Sequence, residues 1–443
     1  MSEMPHSLRQ VWQRRPGIVL FVAALGVRLA FVMAAGINAP PTPWGDDPHY
    51  DQIATELVTH HRYVNTWFPP GYPLFLALIY ALAGRQLAVV RLLQALCGAL
   101  TCLLTFRLGA KLFDERDGRL AGMLLVFYPG HAYMSWRLMG ESVFILLLVL
   151  ALNLAVESAR QPRLRVAVGL GCTVGLAQLV KSNLFVFPPL LVAWAAWALP
   201  GSLRQRLVPL CGLVASLALV SLATPIANLV STGGGAATLP GNAGRTFWYA
   251  NNPLADGYYI TAEQEPAGKA FIAAHGFTAR LAGADEFEKD RLYRRLALLW
   301  IRENPGRFFV LCLKKIDNAF GLFPRAVTFE GNPTARAVHL LSYGLLAPFA
   351  LAGLLASWRR WRSHALLHTV LASYVIMVLI FYGTPRFTII VMPVLLIFAS
   401  YALVSSFDYL RATALLSGGV TAGGPRHVIR KPDLRAPVRR SRP

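Results

Sequence analysis

The chain has 443 residues, of which 55% are hydrophobic and 15% are charged. This composition, with a mean hydropathy of +0.47, excludes an ordinary soluble protein. The formal net charge of +21 does not indicate a nucleic-acid partner, because much of the excess Arg and Lys lies in short loops beside apolar runs. Basic segments in such positions set topology and contact anionic lipid headgroups. We therefore expect the lipid bilayer, and no nucleic acid, as a partner.

Apolar runs of about 18–22 residues recur along the chain, and each is long enough to cross a hydrocarbon core of ~30 Å. They predict an all-α polytopic membrane protein. The ten predicted spans are 17–38, 86–106, 119–135, 141–159, 166–181, 184–200, 207–229, 336–357, 365–384 and 387–407. With ten spans, every cluster of basic residues falls on one side of the membrane. This positive-inside pattern predicts that both termini are cytoplasmic.

The topology divides the chain into parts with different expected roles. These are a basic cytoplasmic N-terminus (1–16), an N-terminal transmembrane module (17–229) with a catalytic first external loop (39–85), an external loop or small subdomain (230–335), C-terminal transmembrane helices (336–407), and a basic, disordered cytoplasmic tail (408–443). Two further apolar stretches, 70–84 and 304–324, are left out of the span count. The first is short and begins with proline, and the second carries two lysines in its middle, so both are expected to be juxtamembrane helices.

Ionisable residues collect at helix ends on the non-cytoplasmic face. They are Asp46, Asp47, Arg137, Glu141, Lys181 and Arg386. Each has an ordinary explanation on its own, such as a basic side chain reaching the interface or an acid in the first turn of a helix. Their joint occurrence on one face favours a polar cavity, because charges at membrane depth are costly unless they pair or bind a charged ligand.

The segment "DDPHYDQIATEL" places Asp46 and Tyr50 on one face of a predicted juxtamembrane helix. His49 and Asp51 flank Tyr50, which raises the alternative of a His/Asp metal site. No second histidine lies at ligand spacing, so a zinc site is not favoured.

Six segments together resemble the GT-C superfamily of polyprenyl-phosphate-dependent glycosyltransferases, in the bacterial branch related to protein O-mannosyltransferases and the lipid A aminoarabinose transferase. In chain order they are "WGDDPHYDQIATEL", "FPPGYPLFLALIYALAG", "RLLQALCGALTCLLTFRLGAKLFDERDGRLAGMLLVFYPGHAYMSWRLMGESVF", "TFWYANNPLADGYY", "NPGRFFVLCLKKIDNAF" and "YGTPRFTIIVMPVLL". The resemblance covers most of 17–407. It implies a sugar donor linked to polyprenyl phosphate, a hydroxyl acceptor of unknown kind, and an active site on the periplasmic face of a bacterial inner membrane.

The resemblance also implies roles for single residues. Asp46 matches the catalytic acid of the first loop, with Asp47 as second choice, and Glu141 matches the second-loop acid that arranges the site or a metal. Lys181 and Arg386 match positions near the lipid phosphate. The chain departs from its relatives at Phe68, where those branches carry a lysine before Pro-Pro. That task is then expected to fall to Lys181, Arg245 or Arg137.

Transfer of a sugar requires a carboxylate to take the proton of the acceptor hydroxyl and cations to stabilise the phosphate leaving group. We expect Asp46 to be the base and the basic residues to hold the phosphate. A divalent metal on Asp46 and Glu141 is left open. The aromatic residues of the long loop, Trp248, Tyr249, Tyr258 and Tyr259, are candidate sugar platforms, although ordinary packing explains them nearly as well. Tyr50, Trp248 and Tyr249 are the candidate substrate-binding residues. A polysaccharide polymerase or ligase, and a transporter of lipid-linked sugars, are the alternative functions.

Overall fold

The protein is described here by a computed structural model that covers residues 12–43, 45–63, 67–226, 242–324 and 331–417. Every regular element in these ranges is a helix, which confirms the predicted all-α fold class. Contacts divide the chain into two units, Met1–Leu403 and Val404–Pro443. All residues of the candidate site belong to the first unit. Residues 1–11 and most of the predicted tail lie outside the described ranges.

Six helical stretches in the described ranges are long and apolar enough to cross a membrane. They are Pro16–Ala34, Leu87–Leu112, Glu141–Arg160, Leu203–Ile226, Pro333–Ile380 and Pro385–Ala414. Three shorter apolar helices are Gly71–Ala83, Leu164–Val180 and Phe187–Ala198. The stretch 333–380 contains two of the predicted spans, because a short break at Trp358–Arg360 separates the helices Leu345–Ser357 and Trp361–Ile380. The chain is therefore a multi-pass membrane protein.

The predicted number of ten spans is not confirmed, and the span expected at 119–135 is where the structure differs most. A helix begins at Glu115, capped by the Asp114 side chain, and ends at Val126. A second, six-residue helix begins at Pro129. Proline has no backbone N–H and disfavours helical geometry in the residue before it, so Tyr128 is extended and the helix is interrupted.

Five α-helices lie in the described range 242–324. They are Ala243–Ala250, Pro266–Ala274, Thr278–Gly283, Glu286–Glu303 and Pro305–Phe320. The side chains of Trp248, Leu296 and Trp300 are buried in a small hydrophobic cluster formed within this part of the chain. The larger apolar cluster is built from the membrane helices. A separate external subdomain at 230–335 remains a prediction, and this second cluster supports it.

The helices Leu87–Leu112 and Glu141–Arg160 run from the predicted site to the basic loops. Both begin near the face on which the ionisable residues were predicted to collect. At their other ends Arg160 donates to the Lys111 carbonyl (Nη2–O 2.7 Å). A rise of ~1.5 Å per residue makes the first of them about 39 Å long, which is enough to cross the apolar core. The candidate site and the basic loops consequently lie at opposite helix ends.

Candidate active site

Four charged residues that are distant in sequence each lie at a helix terminus. Asp46 immediately precedes the helix Asp47–His60, called here the first-loop helix. Glu141 is the first residue of its helix, and Lys181 directly follows the helix Leu164–Val180. Arg386 is the second residue of the helix Pro385–Ser417. Helix ends meet at the membrane surface, so these side chains can converge without entering the apolar core.

The structure joins these four side chains in one continuous ion-pair network. Arg386 donates through Nη2 to Asp46 Oδ2 and through Nε to Glu141 Oε1, both at 2.6 Å. Lys181 Nζ donates to the same Glu141 oxygen at 2.9 Å. Two carboxylates therefore face two cations, and the network carries no net charge. The predicted convergence of the first-loop acid and the arginine near the last predicted span is observed.

The four residues differ in how far they can contact a substrate. The Asp46 and Arg386 side chains keep exposed fractions of 30% and 28%, whereas those of Glu141 and Lys181 keep 0% and 8%. Asp46 and Arg386 thus form an accessible pair, and this pair contacts the buried pair of Glu141 and Lys181. A phosphate group can approach Arg386 directly, but Lys181 would first have to leave Glu141.

The charge state of Asp46 follows from its neighbours. Burial favours the neutral acid, but the Arg386 guanidinium and the Lys181 ammonium outweigh it and hold the pKa of Asp46 below its usual value. Asp46 is therefore an anion at physiological pH while Arg386 is bound to it. This pairing also makes it a weaker base than an unpaired carboxylate.

Asp47, the neighbouring acid, has a different environment. Its two oxygens accept from Arg137 Nε and Nη2, each at 2.8 Å, and Oδ2 also accepts from Thr42 and from the Leu138 backbone. Both members of the pair are buried. These bonds fasten the first loop to the turn that precedes Glu141. The geometry therefore favours a structural role for Asp47 and Arg137.

Sequence reasoning did not single out Arg91 and Gln94, which lie one turn apart on the buried face of the helix Leu87–Leu112. Arg91 donates to the carbonyls of Trp136 (3.0 Å) and Ile37 (2.7 Å), and Gln94 Nε2 donates to that of Arg137 (2.8 Å). They thus hold the backbone of both loops that carry the acids. Two polar residues at helical spacing inside an apolar run were the available signal.

The predicted substrate-binding residues Tyr50, Trp248 and Tyr249 lie in packed positions. Trp248 is fully buried and stacks on Phe271 with ring centroids 5.8 Å apart, and the Tyr249 hydroxyl donates to Glu263 (2.6 Å). The Tyr50 ring packs against Phe68, with centroids 4.8 Å apart. Neither Trp248 nor Tyr249 has an open ring face for a sugar in this conformation.

A second group of aromatic rings, those of Tyr258, Tyr259 and Tyr382, lies near the accessible pair. Tyr382 lies four residues before Arg386, and its ring contacts those of Tyr258 and Tyr259 at centroid distances of 5.9 and 5.7 Å. Tyr259 is 37% exposed. Burial raises the pKa of Tyr259 to about 12, and the negative charges of Glu263 and Asp46 add to the shift. This ring is therefore within electrostatic reach of Asp46 and accessible to a ligand.

Arg245 is not part of the ion-pair network. Its guanidinium lies over the rings of Trp67 and Tyr293, at 4.9 and 5.2 Å from the centroids, and pairs with Glu286 at 3.0 Å. These contacts give it a role in joining the first loop to the helix Glu286–Glu303. As a phosphate ligand it would have to leave three partners.

The donor set does not fit a divalent metal. No group of three or more His, Cys, Asp or Glu residues lies close enough to hold one in the ranges the structure describes. Glu141 Oε2 is buried without a hydrogen-bond partner and could supply one ligand bond. The Arg386 and Lys181 cations, however, already neutralise Glu141 and Asp46, and they would repel a third cation.

The sequence profile of the family described as dolichyl-phosphate-mannose-protein mannosyltransferase matches residues 68–224, which is less than half of the chain. Among solved structures, the chain is similar to the archaeal oligosaccharyltransferase AglB from Archaeoglobus fulgidus in complex with an inhibitory peptide and a dolichol-phosphate. The match has a TM-score of 0.55 and 16% identity, and it covers 94% of this chain and 53% of that chain. AglB is a GT-C protein. The chain has the GT-C fold. The predicted superfamily resemblance is thereby confirmed.

A second structure of the A. fulgidus oligosaccharyltransferase, tethered with an acceptor peptide, matches with a TM-score of 0.53 and 18% identity, over 92% of this chain and 51% of that chain. The chain thus spans about half the length of these neighbours. ArnT from Cupriavidus metallidurans bound to undecaprenyl phosphate matches at 16% identity over 92% of this chain and 81% of that one. Its TM-score of 0.35 supports no conclusion. The search of curated proteins gives no match.

Proposed function

We propose that this GT-C protein is a membrane glycosyltransferase that moves a sugar from a polyprenyl-phosphate donor to a hydroxyl acceptor. The observation that carries the proposal is the accessible Asp46–Arg386 pair, which places a carboxylate and a guanidinium side by side where helix ends meet. Glycosyl transfer from a lipid phosphate needs both groups. The family profile and the dolichol-phosphate bound to AglB support a donor of this class.

Asp46 is the proposed base. The acceptor oxygen attacks the anomeric carbon and its proton passes to the Asp46 carboxylate, while the bond from that carbon to the phosphate oxygen breaks. Polyprenyl phosphate leaves with the bonding electron pair. A positioned carboxylate contributes typically about 10²–10⁴-fold to the rate of such a proton transfer. Asp46 suits this role better than Asp47, because only Asp46 keeps an accessible side chain.

Arg386 is the proposed ligand of the donor phosphate. Its planar guanidinium can bind two phosphate oxygens at once. When its Nη2 turns from Asp46 to the phosphate, Asp46 loses its partner and becomes a stronger base. Donor binding would therefore activate the carboxylate at the moment when the acceptor proton must be removed.

Glu141 and Lys181 are proposed to position Arg386 from the buried side of the site. Glu141 holds the guanidinium through Nε and leaves Nη2 directed at the accessible side. Lys181 neutralises the remaining charge of Glu141, which is needed because an unpaired buried charge is strongly destabilising. The role of Lys181 as a direct phosphate ligand remains a prediction that requires this pair to open.

We propose that the site faces the periplasm from a bacterial inner membrane. The basic loops lie at the helix ends opposite the site, as the positive-inside rule requires for a site on the non-cytoplasmic side. The helices of 243–303 extend on the site's side, and the exposed Tyr259 makes this segment a candidate for choosing among glycan, lipid and protein acceptors.

The direct test supplies radiolabelled polyprenyl-phosphate sugars and extracted envelope acceptors to the purified protein in lipid nanodiscs. Wild type should transfer label, Asp46→Asn should lose transfer while remaining folded, and the exposed control Asp285→Asn should keep it. No transfer by wild type from any hexosyl or pentosyl donor would refute the proposed function. Full activity of Asp46→Asn would refute the assignment of the base.

A further inference from the structure

Lys315 is a buried lysine that the mechanism above does not use. It lies in the helix Pro305–Phe320, its side chain is fully buried, and its ammonium pairs with no carboxylate in the described part of the chain. Instead Nζ donates to Asn251 Oδ1 (2.8 Å) and to the carbonyls of Leu379 (3.0 Å) and Ile380 (3.4 Å). A buried amino group is costly unless its hydrogen bonds are made, so these contacts indicate a specific role.

The two carbonyls belong to the last turn of the helix Trp361–Ile380. Carbonyls at a helix C-terminus lack partners within the helix and carry the negative end of its dipole. Lys315 therefore caps this helix from a neighbouring one. The loop that starts immediately after the cap, residues 381–384, leads directly to Arg386.

Asn251 connects the segment 243–303 to the same helix end. Its Nδ2 donates to the Ile380 carbonyl (3.0 Å) and to that of Phe247 (2.8 Å), while its Oδ1 accepts from Lys315. Asn251 directly follows the helix Ala243–Ala250. The end of one membrane helix, the Lys315 helix and the external helix thus meet at a closed set of hydrogen bonds.

Contacts on both sides of Arg386 return to the Lys315 helix. Before it, Gly383 lies so close to this helix that a Cβ there would overlap the Lys315 carbonyl. The Gly383 N–H donates to the Gly257 carbonyl, which lies outside this helix (3.2 Å). After it, Thr388 Oγ1 donates to the Ala319 carbonyl (2.5 Å). The backbone on either side of Arg386 therefore contacts this helix, by close approach at Gly383 and by a hydrogen bond at Thr388.

We propose that Lys315 is a positioning residue that sets the location of Arg386 and couples it to the external segment through Asn251. The hydrogen bonds of Lys315 fix the C-terminal end of the helix Trp361–Ile380. The position of this end determines where the loop 381–384 lies, and the loop in turn places Arg386 within reach of Asp46 and Glu141. A movement of the external helix, for example on acceptor binding, would be transmitted to Arg386 by the same bonds. The catalytic consequence rests on the proposed function, whereas the structural one does not.

The structural consequence is tested by hydrogen–deuterium exchange of the full chain in nanodiscs. Lys315→Met removes the three donors at similar length, and Lys314→Met is the matched control, since Lys314 is exposed on the same helix. We expect amide exchange at 379–388 to rise about tenfold in Lys315→Met, as for loss of one to two hydrogen bonds, and to stay unchanged in Lys314→Met. Equal exchange in both variants would overturn the proposal.

The catalytic consequence is tested by kinetics with a radiolabelled donor. A displaced Arg386 binds phosphate less well, so Lys315→Met should raise the KM for the donor about tenfold. A variant that is merely less well folded would lower kcat with this KM unchanged. Lys315→Arg, which keeps the donors, should restore the donor KM at least in part. An unchanged donor KM in Lys315→Met, with faster exchange at 379–388, would overturn the link to Arg386.

The remaining outcomes are also distinguishable. If wild type transfers no sugar, the proposed function fails, and exchange alone decides whether Lys315 positions the loop. If Lys315→Met does not fold, Asn251→Ala takes its place, because it removes one acceptor of the lysine and one donor to Ile380. Unchanged exchange at 379–388 in folded Asn251→Ala would likewise refute the coupling.

Discussion

Replacing either of the two adjacent aspartates by asparagine makes the same chemical change in two different environments. Asp47→Asn removes a buried negative charge, so the buried Arg137 guanidinium loses its carboxylate. Breaking a buried ion pair in this way costs about 3–5 kcal/mol. Asp46→Asn breaks a pair whose side chains are 30% and 28% exposed. This pair is partly exposed and Arg386 keeps its bond to Glu141, so Asp46→Asn should cost less stability than Asp47→Asn.

The effects on activity should run the other way. Without the proposed base, Asp46→Asn should lose about 10²–10⁴-fold in transfer rate. Asp47→Asn keeps Asp46, so its folded molecules should retain most of their activity per molecule. Asp46→Asn is then the more stable variant and is inactive, whereas Asp47→Asn is the less stable one and is active where folded.

The assay combines thermal unfolding with sugar transfer on the same nanodisc samples. Transfer is normalised to the folded fraction at the assay temperature, and Asp285→Asn provides the control for the substitution itself. If Asp47→Asn is as stable as wild type but inactive, while Asp46→Asn transfers sugar normally, the roles inferred from burial are reversed and the reasoning is wrong.

Four further predictions concern the site. Arg386→Lys keeps the charge but loses the planar fork, and we expect the donor KM to rise about tenfold, measured by initial rates. In Arg386→Gln the cation that lowers the pKa of Asp46 is absent, so the acid limb of any residual pH–rate profile should move to higher pH; an unmoved limb would contradict the pairing. Tyr259→Ala should weaken binding of the transferred sugar by about 0.5–1.5 kcal/mol while Tyr259→Phe does not, as measured by competition with sugar analogues. Chelation of divalent metals should leave transfer unchanged, and activity restored only by added metal would show that the donor set has been misjudged.

Several features of the site could be predicted from sequence because they are local. Apolar runs predict the helices, and the charges at helix ends predict which ends are polar. The positions of Asp46, Glu141 and Arg386 at helix termini follow from such patterns. The break after Val126 was missed although Pro129 signalled it, because overall apolarity outweighed one residue in the span assignment.

Burial and long-range pairing could not be predicted in the same way. The sequence places Trp248 and Tyr249 in an aromatic segment beside Tyr259, but only packing shows that the first two are enclosed and the third is exposed. Arg245 likewise has the charged guanidinium group of a phosphate ligand, and only its stacking on Trp67 and Tyr293 reveals another role.

The sequence by itself determined that this chain is a helical membrane protein with acidic and basic residues gathered on one face, since hydropathy and charge act over short stretches of chain. Only the tertiary structure decided which aspartate is accessible and that Arg386 and Lys181 share one oxygen of Glu141. The physical reason is that solvent access and ion pairing depend on atoms hundreds of residues apart, whose distances no local pattern contains.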